Sequence, residues 1–180
     1  TIFILMLFAL TIQAQELGLQ FGKTISAFKH TDSEGNSLQN LRKADNFFMT
    51  VDYKQKIMLE TFKEKMFMNI GIGYNRYGSS GSDAVLNNYY SWEVTYLGLN
   101  LGLDYAFYRN RSIIVYAKAS ASPEFLIHGT QTLNNNVYSL MGEEDFESPM
   151  FFFRLGLGAQ FTISDEASVF VQYMGGKSYN

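Results

Sequence analysis

The sequence predicts an all-β chain, an antiparallel up-and-down transmembrane barrel, and three observations carry that expectation. The first is alternation. In "LGLNLGLDYAFYRN", residues 97–110, Leu97, Leu99, Leu101, Leu103 and Tyr105 interleave with Gly98, Asn100, Gly102, Asp104 and Ala106. A period of two belongs to strands, whose successive side chains point to opposite faces. The second is composition. Charged residues are 17% of the 180, against about 25% in ordinary soluble domains, while aromatics reach 16%. The third is a regular exchange of short and long connections between the strand patterns.

Taken in order, the strand patterns cover 17–28, 47–59, 66–77, 92–110, 112–124, 150–163 and 168–179. Each is about as long as the 9–11 residues that cross a bilayer at a tilt, or slightly longer. The apolar set of the first is Leu17, Leu19, Phe21, Ile25 and Ala27. Phe47, Met49, Val51, Tyr53, Ile57 and Leu59 form that of the second, and Met66, Met68, Ile70, Ile72 and Tyr74 that of the third. In the fifth, Ile113, Val115, Ala117, Ala119 and Ala121 oppose Ile114, Tyr116, Lys118, Ser120 and Ser122. Phe151, Phe153, Leu155, Leu157, Ala159, Phe161 and Ile163 line the sixth, and Val169, Val171 and Tyr173 the seventh. No stretch after residue 14 carries a helical apolar period.

The segments 29–46, 78–91 and 125–149 are long and polar, whereas 60–65, 109–111 and 164–167 are short. Transmembrane barrels pair short periplasmic turns with longer outer loops in this way. A closed barrel is also the one strand architecture that satisfies its backbone in lipid. The apolar sets are therefore expected to face lipid and the small and polar sets to face a narrow lumen. A soluble lipocalin-like barrel reverses that order. Aromatic girdles are expected at both interfaces: Tyr74, Tyr77, Tyr89, Tyr90 and Trp92 on the long-loop side, and Tyr105, Phe107 and Tyr108 on the short-turn side.

"TIFILMLFALTIQAQ" reads as the apolar region and cleavage site of a secretory signal. It is too short for a spanning helix, which needs roughly 20 apolar residues. Residues 1–14 are assigned to a signal clipped at its start, and 15–180 to the barrel domain. Seven strands are counted, and single-chain bacterial barrels have even numbers. Eight are therefore expected, with the last strand missing from this sequence. The location that follows is the bacterial outer membrane, with outer-membrane lipid as the first partner.

One residue breaks the pattern. Lys23 falls on the lipid-facing register, where a mid-bilayer Lys costs about 2–4 kcal/mol. A bulge that shifts the register there is the expectation, ahead of a place near the interface or a contact with a partner.

The inward charges are Asp52, Lys54, Lys56, Asp104, Lys118, Glu124 and Arg154. Buried charges must be paired, and an eight-stranded barrel is only wide enough for its side chains to fill it. Asp52, Lys54, Asp104, Lys118 and Arg154 are thus expected to form an interior polar network, with Asp104 and Lys118 in one ion-pair group. A channel is expected to line its path with one sign, so the mixture argues for a plug over a narrow solute pore.

Several chemistries are set aside. The chain has no cysteine, which removes disulfides and thiolate sites. Its net charge of −3 argues against nucleic acid. "GIGYNRYG" lacks the helix and the Lys-Ser/Thr ending of a phosphate loop. His30 and His128, with Ser26, Ser120 or Ser122 and Glu124, are the material for a hydrolytic triad such as an outer-membrane lipid hydrolase uses, but no spacing requires one. The run Glu143, Glu144, Asp145, Glu147 lacks the pattern of a calcium loop and reads as solvated surface. No catalytic residue, metal or cofactor is assigned.

The stretches "ELGLQFGKTIS", "MNIGIGYNRYG", "LGLNLGLDYAF" and "FRLGLGAQF", after a signal ending near "QAQ", resemble the small PorT-like outer-membrane β-barrel family of Gram-negative bacteria. The resemblance covers nearly the whole mature chain and rests on alternation and glycine. It implies an eight-stranded outer-membrane barrel without catalytic residues. It also implies a structural, partner-binding or secretion-accessory role beside envelope or secretion proteins.

Overall fold

The computed structural model describes residues 15–28, 41–57, 65–83, 88–143 and 148–179. The signal segment, His30 and Glu144, Asp145 and Glu147 lie outside them. Among the described residues eight strands form one antiparallel sheet: β1 (Gln15–Ser26), β2 (Arg42–Lys56), β3 (Met66–Asp83), β4 (Asn88–Arg109), β5 (Ile113–Leu133), β6 (Asn136–Ser139), β7 (Met150–Thr162) and β8 (Ser168–Tyr179). The wall runs β1-β2-β3-β4-β5-β7-β8, and β6 pairs β5 beyond the end of β7. Neighbours in the wall are consecutive in the chain, apart from that short hairpin, so the topology is up-and-down.

The sheet curls until its two ends face each other. Gln172 on β8 donates to Gln20 on β1 at 2.6 Å, although 152 residues separate them. Gln160 on β7 reaches Glu16 on β1 at 3.3 Å. The curl gives the wall a concave and a convex side, and the alternation divides between them. Leu99, Leu101 and Leu103 stand on the convex side, 46–52% exposed, while Asp104 between their neighbours is 2% exposed.

Glycine makes the concave side work. A methyl group on Gly158 would stand 2.3 Å from the Tyr116 ring, and one on Gly98 2.9 Å from Glu124. Gly158 and Tyr116 are direct partners on adjacent strands. Each glycine leaves a recess for one large inward side chain, so large and small alternate across the ladder as well as along it.

Along β3 and β4 the two faces exchange character near the long-loop end. The convex residues of β4 are apolar from Leu97 to Phe107, then become Glu93 and Ser91. Its concave residues are small or polar from Gly98 to Ala106, then become Tyr96, Val94, Trp92 and Tyr90. On β3 the change falls between Tyr74 and Arg76, which pair with Leu97 and Thr95. Past this line, Tyr77, Tyr90, Trp92, Val94, Tyr96 and Leu140 form an apolar core on the inside.

Three sequence expectations are corrected here. Tyr77, Tyr90 and Trp92 are 6–9% exposed and belong to that core, not to an outer girdle. Tyr74, Tyr89, Tyr105, Phe107 and Tyr108 are outward and exposed. The segments read as long loops at 78–91 and 125–149 are largely strand, because β3, β4 and β5 continue past the exchange of faces. β6 follows a two-residue turn at Asn134 and Asn135, with φ of 47° and 69°. Asparagine tolerates that left-handed conformation, and two such residues match a hairpin turn of the twist strands need.

The third correction is Lys23. No bulge shifts its register: β1 and β2 pair without interruption from Gln15 to Ser26. Lys23 points outward and forms an ion pair with Asp45 at 2.7 Å, both about 60% exposed. It pairs with Phe47 on the ladder, and β2 brings Phe47 one residue beyond the Phe48–Asn75 partners. That places it beside the Arg76 level, where the convex face turns polar. There its charge is paired and remains solvent-exposed.

Candidate functional site

The concave side holds two polar clusters stacked along the barrel axis. The one nearer the long-loop end is built on Glu124, which is completely buried. Arg154 on β7 donates to Glu124 Oε1 at 2.5 Å and to the Tyr77 hydroxyl at 2.6 Å. Asn75 and Ser122 donate to the same carboxylate oxygen at 3.0 and 3.2 Å, and Tyr77 donates to Oε2 at 2.9 Å. The guanidinium lies over the Phe152 ring at 4.7 Å, and Phe152 stacks on Tyr77 at 4.9 Å. This joins the cluster directly to the apolar core above it.

The second cluster draws on all seven wall strands. Asp104 on β4 lies between two ammonium groups, Lys54 at 3.5 Å and Lys118 at 3.8 Å, and accepts from Asn69 at 2.9 Å. Lys118 also donates to Asn69 at 3.4 Å. Lys54 donates to Gln160 at 3.2 Å and lies over the Phe67 and Tyr116 rings. Asp52 accepts from Gln20 at 2.5 Å, Gln20 from Gln172, and Gln172 from Tyr116 at 3.3 Å.

The charges expected to share one interior network divide between the two clusters. Asp104 joins Lys54 and Lys118, Arg154 joins Glu124, and Asp52 enters through amides. Lys56 lies on the same face, half-buried. The three carboxylates Asp52, Asp104 and Glu124 are matched in number by Lys54, Lys118 and Arg154. Among the described residues no buried side-chain nitrogen or oxygen lacks a hydrogen-bond partner. Complete satisfaction is what makes such a network tolerable in a low-dielectric interior. Charges of both signs lie together with rings and amides on the concave side, unlike the one-signed lining of a conduction path.

Sequence reasoning missed the neutral members: Gln20, Asn69, Asn75, Tyr77, Tyr116, Gln160 and Gln172. Their signal was present. All lie on the small-residue face of a strand, where an amide or phenol has no solvent and needs a partner.

Among the described residues, which leave out His30, the candidate triad is not assembled. Ser122 gives its hydrogen bond to Glu124, and Glu124 is held by Arg154. His128 is exposed, and Ser26 exchanges hydrogen bonds with the backbone of Gly78 at 2.9 Å. Among the described residues no group of three or more His, Asp or Glu is arranged to hold a metal ion. No described helix is long and apolar enough to cross a membrane. Comparison with protein-family models, curated proteins and solved structures finds no match.

Proposed function

We propose that this chain is an integral outer-membrane β-barrel protein of a Gram-negative envelope, with a sealed lumen and no enzymatic role. It acts as a membrane-anchored platform whose long-loop end meets envelope or secretion proteins. The PorT-like resemblance agrees with this reading.

One observation carries it: the exchange of faces at Tyr74/Arg76 and Leu97/Thr95. A sheet in water has no reason to keep its apolar residues convex over one length and concave over the next. A sheet that leaves a bilayer does. On β4 the convex apolar run from Leu97 to Phe107 spans ten steps of about 3.4 Å, so at a tilt of about 40° it is about 26 Å tall. Outer-membrane barrels carry an apolar band of about 25 Å. A narrow channel fits less well, because Arg154, Tyr77 and Phe152 interlock across the space a solute would need.

The test is fractionation of cells expressing the chain. The protein is expected in the outer-membrane fraction, resistant to alkaline carbonate and to high salt, and released by detergent. Release by carbonate alone would overturn the reading.

A further inference from the structure

The convex face of β5 lies lower than its neighbours. Leu103, Ala119 and Leu155 stand in one row across β4, β5 and β7, and Tyr105, Ala117 and Leu157 in the next. In each row an alanine separates two large side chains, so a groove runs along β5. It offers about 400 Å³, and its outward lining is Met66, Leu103, Tyr105, Ala117, Ala119 and Leu155. Small-molecule sites hold about 300–1,000 Å³.

Toward the short turns, β5 leads from this apolar groove to a cationic turn. A bulge at Ala106/Tyr108 leaves Phe107 and Tyr108 both outward, 51% and 52% exposed. Arg109 and Arg111 follow, both exposed, one on each side of Asn110. Asn110 fixes the turn. Its side-chain oxygen accepts from the backbone of Ser112 and Ile113 at 2.9 and 2.7 Å, and its amide donates to the Tyr108 hydroxyl at 3.1 Å. At the other edge of the band, Lys23 and Arg76 are each paired with a carboxylate. Among the described residues no carboxylate pairs with Arg109 or Arg111, although Asp165 and Glu166 are exposed on the turn after β7.

Two unpaired guanidiniums suit phosphate, which arginine holds through paired hydrogen bonds. The adjoining outward rings mark the headgroup level of a bilayer. Ala117 lies three strand steps, about 10 Å, from Ile114, the ladder partner of Arg109. That length accommodates a glycerol and its ester between a phosphate on the turn and an acyl chain in the groove. Free phosphate would use the arginines and leave the groove unused. A zwitterionic lipid would bring its own ammonium against the two cations.

We infer that β5 seats one anionic phospholipid, with an acyl chain in the groove between β4 and β7 and the phosphate on Arg109 and Arg111. The inference rests on the membrane reading above.

The test is native mass spectrometry of the chain in detergent, titrated separately with phosphatidylglycerol and phosphatidylcholine. A preference of about twentyfold for phosphatidylglycerol is expected, since each cation at an anionic surface contributes about fivefold. Arg109→Gln combined with Arg111→Gln is expected to bring the two lipids level. Ala119→Leu fills the groove, leaves both arginines in place and is expected to weaken phosphatidylglycerol several-fold. Equal binding of the two lipids by the parent would overturn the inference, and that comparison needs no variant to fold. Undiminished binding to a folded Ala119→Leu chain would overturn it too. So would displacement of the lipid by inorganic phosphate, the result expected if the arginines take phosphate alone. Carbonate release from cells refutes the bilayer, whereas a carbonate-resistant chain without lipid preference refutes the lipid seat alone.

Discussion

Replacing Arg154 with leucine removes the cation from a carboxylate that has no access to solvent. Removing one partner of a buried ion pair costs about 3–5 kcal/mol. Glu124 would keep three neutral donors, Asn75, Tyr77 and Ser122, which points to the lower end. Loss of the guanidinium from the Phe152 face adds about 0.5–1 kcal/mol. The predicted destabilisation is about 3–4 kcal/mol, or more than roughly a hundredfold in the folding equilibrium. Trp92 is the only tryptophan and lies in the adjoining core, so its fluorescence reports urea unfolding from lipid vesicles. Glu124→Gln in the Arg154→Leu background removes the orphaned charge, keeps an oxygen to accept from Asn75 and Ser122, and turns an amide N–H toward the Tyr77 hydroxyl, which can accept it. It is expected to recover about 2 kcal/mol. An Arg154→Leu protein within about 0.5 kcal/mol of the parent, or no recovery in the double variant, would refute the buried-pair reasoning.

Three further predictions use the same unfolding assay. Asp104→Ala leaves Lys54 and Lys118 facing each other and is expected to cost about 3 kcal/mol or more; a stability equal to the parent's would contradict the shared carboxylate. Gly158→Ala drives a methyl group into the Tyr116 ring and should cost about 1–3 kcal/mol, whereas Gly175→Ala enters open space and should be neutral or slightly stabilising. Equal effects at the two glycines would show that the recesses are not occupied as described. Leu101→Arg, on the convex band, is expected to cost about 2–4 kcal/mol in a bilayer, and Glu93→Arg, beyond the band, about 1 kcal/mol or less; the reverse order would misplace the membrane.

The wall inside the apolar band was legible because both its faces have one character over many residues. The leucines from 97 to 103, and Leu155 and Leu157 between Arg154, Gly156 and Gly158, fix a period and a direction with no knowledge of neighbours. Past Tyr96 the period continues, but with its faces exchanged, and the stretch then reads as mixed polar loop. That is why the ends of β3, β4 and β5, and all of β6, were hidden, and why Trp92 read as a girdle residue instead of core. Inward charges were legible as a set, since alternation assigns a face to each. Their partners were mostly not. Arg154 meets Glu124 and Tyr77 through the relative register of β3, β5 and β7, and register is a property of pairs of strands. Lys23 shows the converse. The residue looked misplaced because nothing in its own strand tells where the band ends; Asp45 and Arg76 do.

In the proposed membrane reading the convex side of the sheet faces lipid and the concave side a sealed interior. Adjacent residues on β4 test it. The chain has no cysteine, so Leu101→Cys and Asn100→Cys each carry a single environment-sensitive fluorophore in vesicles with nitroxide-labelled acyl chains. Strong quenching at position 101 and weak quenching at position 100 is the predicted result. Equal quenching at both, or stronger quenching at position 100, would contradict it.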